Sequence, residues 1–423
     1  MNCPIRTLDN GVRVVAAPLK ERRSTAIGVW VHTGARDEDA RTSGVSHFLE
    51  HVVFKGTKRR TAAEIKEGVE GLGGSLNAFT SEEYTCFLAK CTSRHFEKVF
   101  DVLADMVLNA SLQEKDIRKE RTVILEEIKM TQDQPSQWVD ELVAELTWEG
   151  HALARPVAGS MQSVSGLTTD DIRSYKDAHY RSGFLTIAAA GAIGIESLLK
   201  EAARRFDRAK PGTRRPLDLF QNRQTAPRLK LCHKPVEQTH MALSIHALPH
   251  EHPDQYVLDL LSVILGGNMS SRLFCEVREK RGLAYEVGSS VRKYHETGAF
   301  GVDAGVDSRK AVESLKVILA ELRKTAVRPV SEGELRRAKD FYLGQLDMGL
   351  ENTMSQMLWV GESVVRLGRC RRPEEVARAV AKVRREDLRR VAAAVFQTRA
   401  LNLAIVGPGV DRSQKAFRKA LAF

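Results

Sequence analysis

Along the chain, short apolar runs alternate with longer stretches in which apolar residues recur at helical spacing. Residues 26–31 (AIGVWV) and 241–245 (MALSI) have the length and composition of buried strands. The stretches between them place apolar positions three and four apart, as helices with one buried face do. This alternation predicts an α+β fold in which each β-sheet packs with α-helices. No apolar run approaches the roughly 20 residues that a membrane-spanning helix needs, so no membrane partner is expected.

The pattern occurs twice. Residues 171–191 align without gaps to 387–407, an offset of 216, and each copy reads as an amphipathic helix, a turn and an apolar strand ending in glycine, Gly191 or Gly407. Residues 112–128 align to 330–346 at an offset of 218. Two homologous domains are therefore expected, over 1–210 and 228–423. The segment 211–227, with Pro211, Gly212, Pro216 and Pro227, suits an extended linker.

Candidate chemistry is concentrated in the first copy. In His47-Phe48-Leu49-Glu50-His51, the spacing i, i+3, i+4 puts both imidazoles and the carboxylate on one helical face. A catalytic zinc takes three protein ligands and leaves a fourth position open. In the order H-x-x-E-H the glutamate is the general base rather than a ligand. Taken alone, the five residues also describe a surface helix carrying two histidines and an acid. The acid-rich stretch 120–128 offers a third ligand. Glu120 and Glu127 are seven residues apart, within about 20° of one another around a helix, so that one can bind metal and the other can hold a histidine N–H. Spacing does not choose between Glu126 and Glu127. At the positions matching Glu120, Glu126 and Glu127 the second copy has Ala338, Gly344 and Gln345, and no H-x-x-E-H occurs there. The N-terminal copy is thus expected to be the catalytic half.

Together with GVSHFLEHVVFKGT over 44–57 and GGSLNAFT over 73–80, these residues resemble the pitrilysin and mitochondrial processing peptidase family of zinc metallopeptidases. The resemblance covers essentially the whole chain; Val52 stands where many relatives have methionine, an apolar exchange. It implies the processing-peptidase-like fold in both domains and one zinc ion per chain. His47, His51 and Glu127 are implied as ligands, Glu50 as base and Glu120 as a supporting acid. It further implies that 75–80 is an exposed edge strand to which an extended peptide adds. Asn77, Ala78 and Phe79 would contact that peptide, Asn77 and Ala78 nearest the scissile bond. Arg281 and Tyr285 are implied to reach the active site from the C-terminal half of the facing subunit of a homodimer. From the residues alone, Arg281 followed by Gly282 is a helix stop, and both readings can hold. The activity implied is endopeptidase cleavage of unfolded peptides or presequence-like segments, with loose specificity. The alternatives are a noncatalytic structural or assembly subunit on the same fold, as among the family's respiratory-complex relatives, and a catalytic subunit that needs a different partner chain.

A formal net charge of +11 raises the question of an anionic partner. The basic residues are dispersed, in short clusters such as Arg204-Arg205 and Arg384-Arg385, with no arm and no aromatic-studded stripe. No nucleic-acid partner is expected, and solubility accounts for the charge. His233, His240, His246, His250 and His252 fit no single helical face, and Pro249 and Pro253 break the segment, so no second metal site is expected there. The six cysteines are scattered, make no C-x-x-C, and read as reduced, mostly buried thiols. The N-terminus has no secretion signal, and a cytoplasmic location is the expectation.

Overall fold

The computed structural model describes residues 3–213 and 216–422. Arg214 and Arg215 of the expected linker, and Met1, Asn2 and Phe423 at the ends of the expected domains, lie outside the described residues. Among the described residues, the first sheet contains β1 (Ile5–Thr7), β2 (Arg13–Pro18), β3 (Ser24–Val31), β4 (Ser75–Thr80), β5 (Thr85–Thr92) and β6 (Leu185–Gly191), in the order β1-β2-β6-β3-β5-β4. The second contains β7 (Arg228–His233), β8 (Gln238–Ala247), β9 (Ala284–Lys293), β10 (Gly298–Asp307) and β11 (Leu401–Gly407), in the order β7-β11-β8-β10-β9.

Apart from β1 the two orders are the same, and so are the strand directions. β2 runs parallel to β6 as β7 does to β11, and the remaining pairs are antiparallel. The helix before β6 spans Thr169–His179 and the helix before β11 spans Arg385–Val395, which is the offset of 216 read from the sequence. The duplication is a duplication of structure.

Strands of the first sheet are apolar on both faces. Along β3, Ile27, Val29 and Val31 join one core cluster while Ala26 and Trp30 join another. On the first face lies α1 (Val45–Val53), which contributes Phe48, Leu49 and Val52. On the second lies α4 (Thr353–Leu367), which contributes Met357, Val360 and Val364. Close approach of α4 depends on a missing side chain: a Cβ at Gly361 would stand 2.2 Å from the Trp30 indole nitrogen.

Helix α2 spans Glu114–Asp133, and α3 follows it over Pro135–Thr147. Val139, Leu142 and Val143 of α3 pack with Ala242, Ala404 and Val406 of the second sheet. Each sheet is therefore covered on one face by a helix from the other half of the sequence. The compact units follow this exchange. One comprises Met1–Ile128, Arg155–Leu217 and Asp347–Glu374; the other comprises Lys129–Ala154, Asp218–Leu346 and Glu375–Phe423.

The expectation of six reduced thiols is corrected. Cys3 and Cys370 form a disulfide, while Cys86, Cys91, Cys232 and Cys275 are free. The two partners are separated by 367 residues. They meet because the chain end before β1 and the segment after α4 pack against the same core cluster, an adjacency invisible to local spacing. A thiol-reactive dye applied to the denatured, unreduced protein should titrate the four free cysteines, and six after reduction. Six before reduction would show that Cys3 and Cys370 are not paired.

Candidate metal centre

Helix α1 owes its orientation to its apolar stripe. Val45, Phe48, Leu49, Val52 and Val53 are all buried, and their spacing of three and four residues makes one face of the helix. His47, Glu50 and His51 consequently lie off that apolar stripe. Helix α2 buries Ile117, Ile124 and Ile128, and by the same periodicity presents Glu120 and Glu127 together.

The start of α1 is held by an acid that sequence inspection did not single out. Glu38 accepts the backbone N–H of Gly44 at 2.7 Å and that of Ser46 at 2.8 Å, one on each carboxylate oxygen. Gly44 is the N-terminal cap residue, with φ of 93°, and has no side chain to perform this task. Burial pushes the Glu38 pKa up to about 8, while the hydrogen bonds from Ser46 and Gly44 and the nearby Arg155 pull it down. A buried acceptor in this place satisfies donors that the first turn of a helix otherwise leaves unpaired. Nothing local in the sequence marks Glu38, which lies outside the helix and meets it through a turn.

His47, His51 and Glu127 are the cluster among the described residues whose ligand atoms all lie within 4.8 Å of one another. The Nε2 atoms of His47 and His51 stand 3.9 and 3.4 Å from Glu127 Oε2. The two rings meet edge to face, with centroids 4.7 Å apart. Of the two neighbouring acids, it is Glu127 that joins the histidines. Glu120 approaches the far side of the His51 ring, with Oε2 3.4 Å from Nδ1, and its other oxygen is ion-paired with Lys55 Nζ at 2.7 Å. Glu120 is almost fully buried, 4% exposed. Lys55, in the turn that follows α1, escaped sequence inspection because it meets Glu120 from outside any regular element.

The donor set fits a zinc ion. Two imidazole nitrogens and one carboxylate oxygen form one of the sets used by catalytic zinc, and in a tetrahedral site with bonds near 2.0–2.1 Å such donors stand about 3.4 Å apart. The spacings here are close to that value. Burial, reinforced by His51, pushes the His47 pKa down to about 4, so its ring is neutral at pH 7 and retains a lone pair for a metal. A carboxylate on the outer nitrogen of His51 fixes which nitrogen faces inward.

Glu50 is partly buried and accepts a hydrogen bond from Thr80 Oγ1 at 2.6 Å. Burial raises its pKa, opposed first by the Thr80 hydrogen bond. Thr80 ends β4, the edge strand of the first sheet. Asn77 and Ala78 lie within that strand, paired with Leu88 and Phe87 of β5 on one side only. Phe79 follows them, and its ring packs against Trp30 and Tyr84.

Arg281 and Tyr285 belong to the other compact unit. Arg281 is paired with Glu276 at 2.5 Å, and Tyr285, 74% exposed, is the second residue of β9 and lies beneath the Arg278 guanidinium. Gly282, with φ of 56°, donates to Arg278 O, and Leu283 donates to Val277 O. That is a helix stop with a left-handed glycine, as the residues alone indicate. The five dispersed histidines of 233–252 form no metal-type cluster among the described residues.

Two family models match the chain: Insulinase (Peptidase family M16) over residues 13–161 and Peptidase M16 inactive domain over 166–342. A Streptomyces coelicolor protein named as an uncharacterized zinc protease is 36% identical, covering 98% of this chain and 92% of its own length. One from Bacillus subtilis with the same description is 34% identical, covering 95% and 97%. Among solved structures, a protease from Helicobacter pylori superposes with a TM-score of 0.91 at 24% identity, over 96% of this chain and 100% of the other. A chain of complex III2 from Candida albicans superposes with a TM-score of 0.85 at 18% identity, over 99% and 100%; at these identities both likenesses are of fold.

Glu38→Ala should lower thermal stability and loosen zinc retention together, because two buried N–H donors at the start of α1 lose their acceptor, at about 1–3 kcal/mol each. Glu38→Gln, which keeps one acceptor oxygen, should lose less. A melting curve and zinc content after dialysis measure both effects. An alanine variant with unaltered melting would show that the cap is dispensable.

Proposed function

The chain belongs to peptidase family M16, and from that premise we propose that it is a zinc-dependent endopeptidase whose ion is held by His47, His51 and Glu127. The observation that carries this reading is the convergence of those three donors from α1 and α2 with Glu50 on the same helix. When bound, zinc lowers the pKa of water and polarises the scissile carbonyl. Glu50 takes the water's proton and passes it to the leaving amine. Its partial burial favours the protonated state that the second transfer needs, and Thr80 holds one of its oxygens. Glu120, anchored by Lys55, keeps the His51 ring turned so that its inner nitrogen faces the metal position.

An extended peptide adds to the open side of β4, where the Ala78 N–H, held by the Asn77 side-chain oxygen at 2.8 Å, would exchange that acceptor for a peptide carbonyl. Main-chain pairing reads few side chains, which suits loose specificity toward unfolded peptides or presequence-like segments. Arg281 and Tyr285 of the partner subunit complete each site in a homodimer by donating hydrogen bonds to the substrate. Their present engagement, Arg281 with Glu276 and Tyr285 exposed to solvent, leaves the tyrosine hydroxyl open to such a role. The likeness to a complex III2 chain is one of fold, and the complete donor set favours the catalytic reading over a structural subunit.

Glu50→Gln should abolish peptide cleavage while zinc content stays near one per chain, whereas His51→Ala should lose the metal itself. Equal zinc loss in both variants would make Glu50 a ligand and overturn its role as base.

Mixing tests the assembly. Glu50→Gln chains and chains carrying Arg281→Ala with Tyr285→Phe should each be nearly inactive alone. In a mixed dimer one site unites an intact metal half with an intact arginine and tyrosine, so cleavage should partly return. A verified heterodimer without activity would reject the shared site.

A further inference from the structure

Strand β4 ends on the residue that holds Glu50. Side chains along a strand alternate between its two faces. Leu76 and Ala78 pack against the core cluster to which α1 contributes Phe48 and Leu49, while the ring of Phe79 lies on the other face with Trp30 and Tyr84. Thr80, two residues beyond Ala78, returns to the α1 face, and there its hydroxyl donates to Glu50 Oε2 at 2.6 Å. Among the described residues no other side chain hydrogen-bonds that carboxylate.

Backbone direction alternates as well. Ser81 N–H donates to Tyr84 O at 2.9 Å, which makes these two a hydrogen-bonded pair where β4 turns into β5. Hydrogen-bonded and non-hydrogen-bonded pairs alternate along an antiparallel ladder. Phe79 with Cys86 is therefore of the first kind, and Ala78 with Phe87 and Thr80 with Thr85 are of the second. Ala78 and Thr80 accordingly turn their backbone groups to the open side of the sheet. The Ala78 N–H agrees with this, since its acceptor is the Asn77 side chain at 2.8 Å.

The edge that accepts an extended peptide and the hydroxyl that holds the base thus belong to one strand, two positions apart. An edge strand with unpaired backbone groups keeps freedom that a pairing partner removes. Glutamate is itself among the most rotatable side chains, and a reacting group misplaced by about 1 Å can lose most of its effect. The Thr80 hydrogen bond is the tie that carries the order of the strand to the carboxylate.

We propose that Thr80 is a positioning residue through which peptide pairing on β4 sets Glu50, so that the length of peptide paired with the strand governs turnover as well as affinity. This rests on the peptidase reading of the same site.

Peptides with a single cleavable bond, lengthened stepwise, separate the two effects. In the zinc-loaded parent kcat should rise with length. Thr80→Val keeps the side-chain volume and the β-branched shape that suits a strand but removes the donor. It should lower kcat for the longest peptide about tenfold or more, as expected for a lost hydrogen bond to a charged group, with KM within about twofold of the parent. The rise with length should vanish. Thr80→Ser, which restores the donor, should regain most of the loss. In the noncleaving Glu50→Gln background with zinc bound, Thr80→Val should leave the calorimetric affinity for the longest peptide unchanged, because the pairing groups are backbone. A merely structural Thr80 would instead lower the melting temperature, raise KM and resist rescue by serine. That pattern, a parent-like kcat in Thr80→Val, or an equal fall in kcat at every peptide length would each overturn the proposal. A zinc-loaded parent that cleaves no peptide of the series would reject the peptidase reading, and this one with it.

Discussion

The apolar stripe of α1 is the constraint on which the candidate site depends. Burying Val45, Phe48, Leu49, Val52 and Val53 is worth about 1.5–3 kcal/mol for each of the larger side chains, so turning the helix away from the sheet would cost on the order of 10 kcal/mol. Breaking the largely buried pair of Glu120 and Lys55 costs about 3–5 kcal/mol, less than that total. Packing therefore decides the direction in which His47, Glu50 and His51 point, and the polar contacts refine it. Glu38 fixes the helix at its start, and Glu120 with Lys55 orients the ring of His51 near its end. A metal-type site is held open by apolar packing on the opposite side of the same helix.

A second constraint is that each sheet is apolar on both faces. One layer of helices cannot cover it, and the chain resolves this by exchange: α4 covers the first sheet and α3 the second. The exchange explains why the two ends of the first unit come together, with Cys3 joined to Cys370. It also explains why the compact units differ from the halves of the sequence, although the halves are true copies in strand order and direction. The copies have diverged in chemistry while retaining architecture. The helix matching α2 buries Ala338 where α2 has Glu120, so the same scaffold persists without the acids.

Much was legible in the sequence because it is carried by local periodicity. The strands, the repeat with its offsets, the helical face shared by His47, Glu50 and His51, and the pairing of Glu120 with Glu127 all follow from spacing along one element. The helix stop at Gly282 was legible for the same reason, since the requirement for a left-handed residue is local. What distinguished Glu127 from Glu126 was not spacing but the packing of α2 beside α1, which brings Glu127 to both histidines.

Spacing along the chain thus determined the secondary structure, the duplication and the residues able to bind a metal, because each of these depends on neighbours a few positions away. Tertiary structure alone decided the contacts made across long separations. It selected Glu127, brought Glu38 to the start of α1, placed Thr80 on Glu50, joined Cys3 to Cys370 and exchanged α3 for α4. The physical reason is the same in every case: these contacts are by-products of burying apolar faces, and which faces meet is a property of the whole fold rather than of any segment.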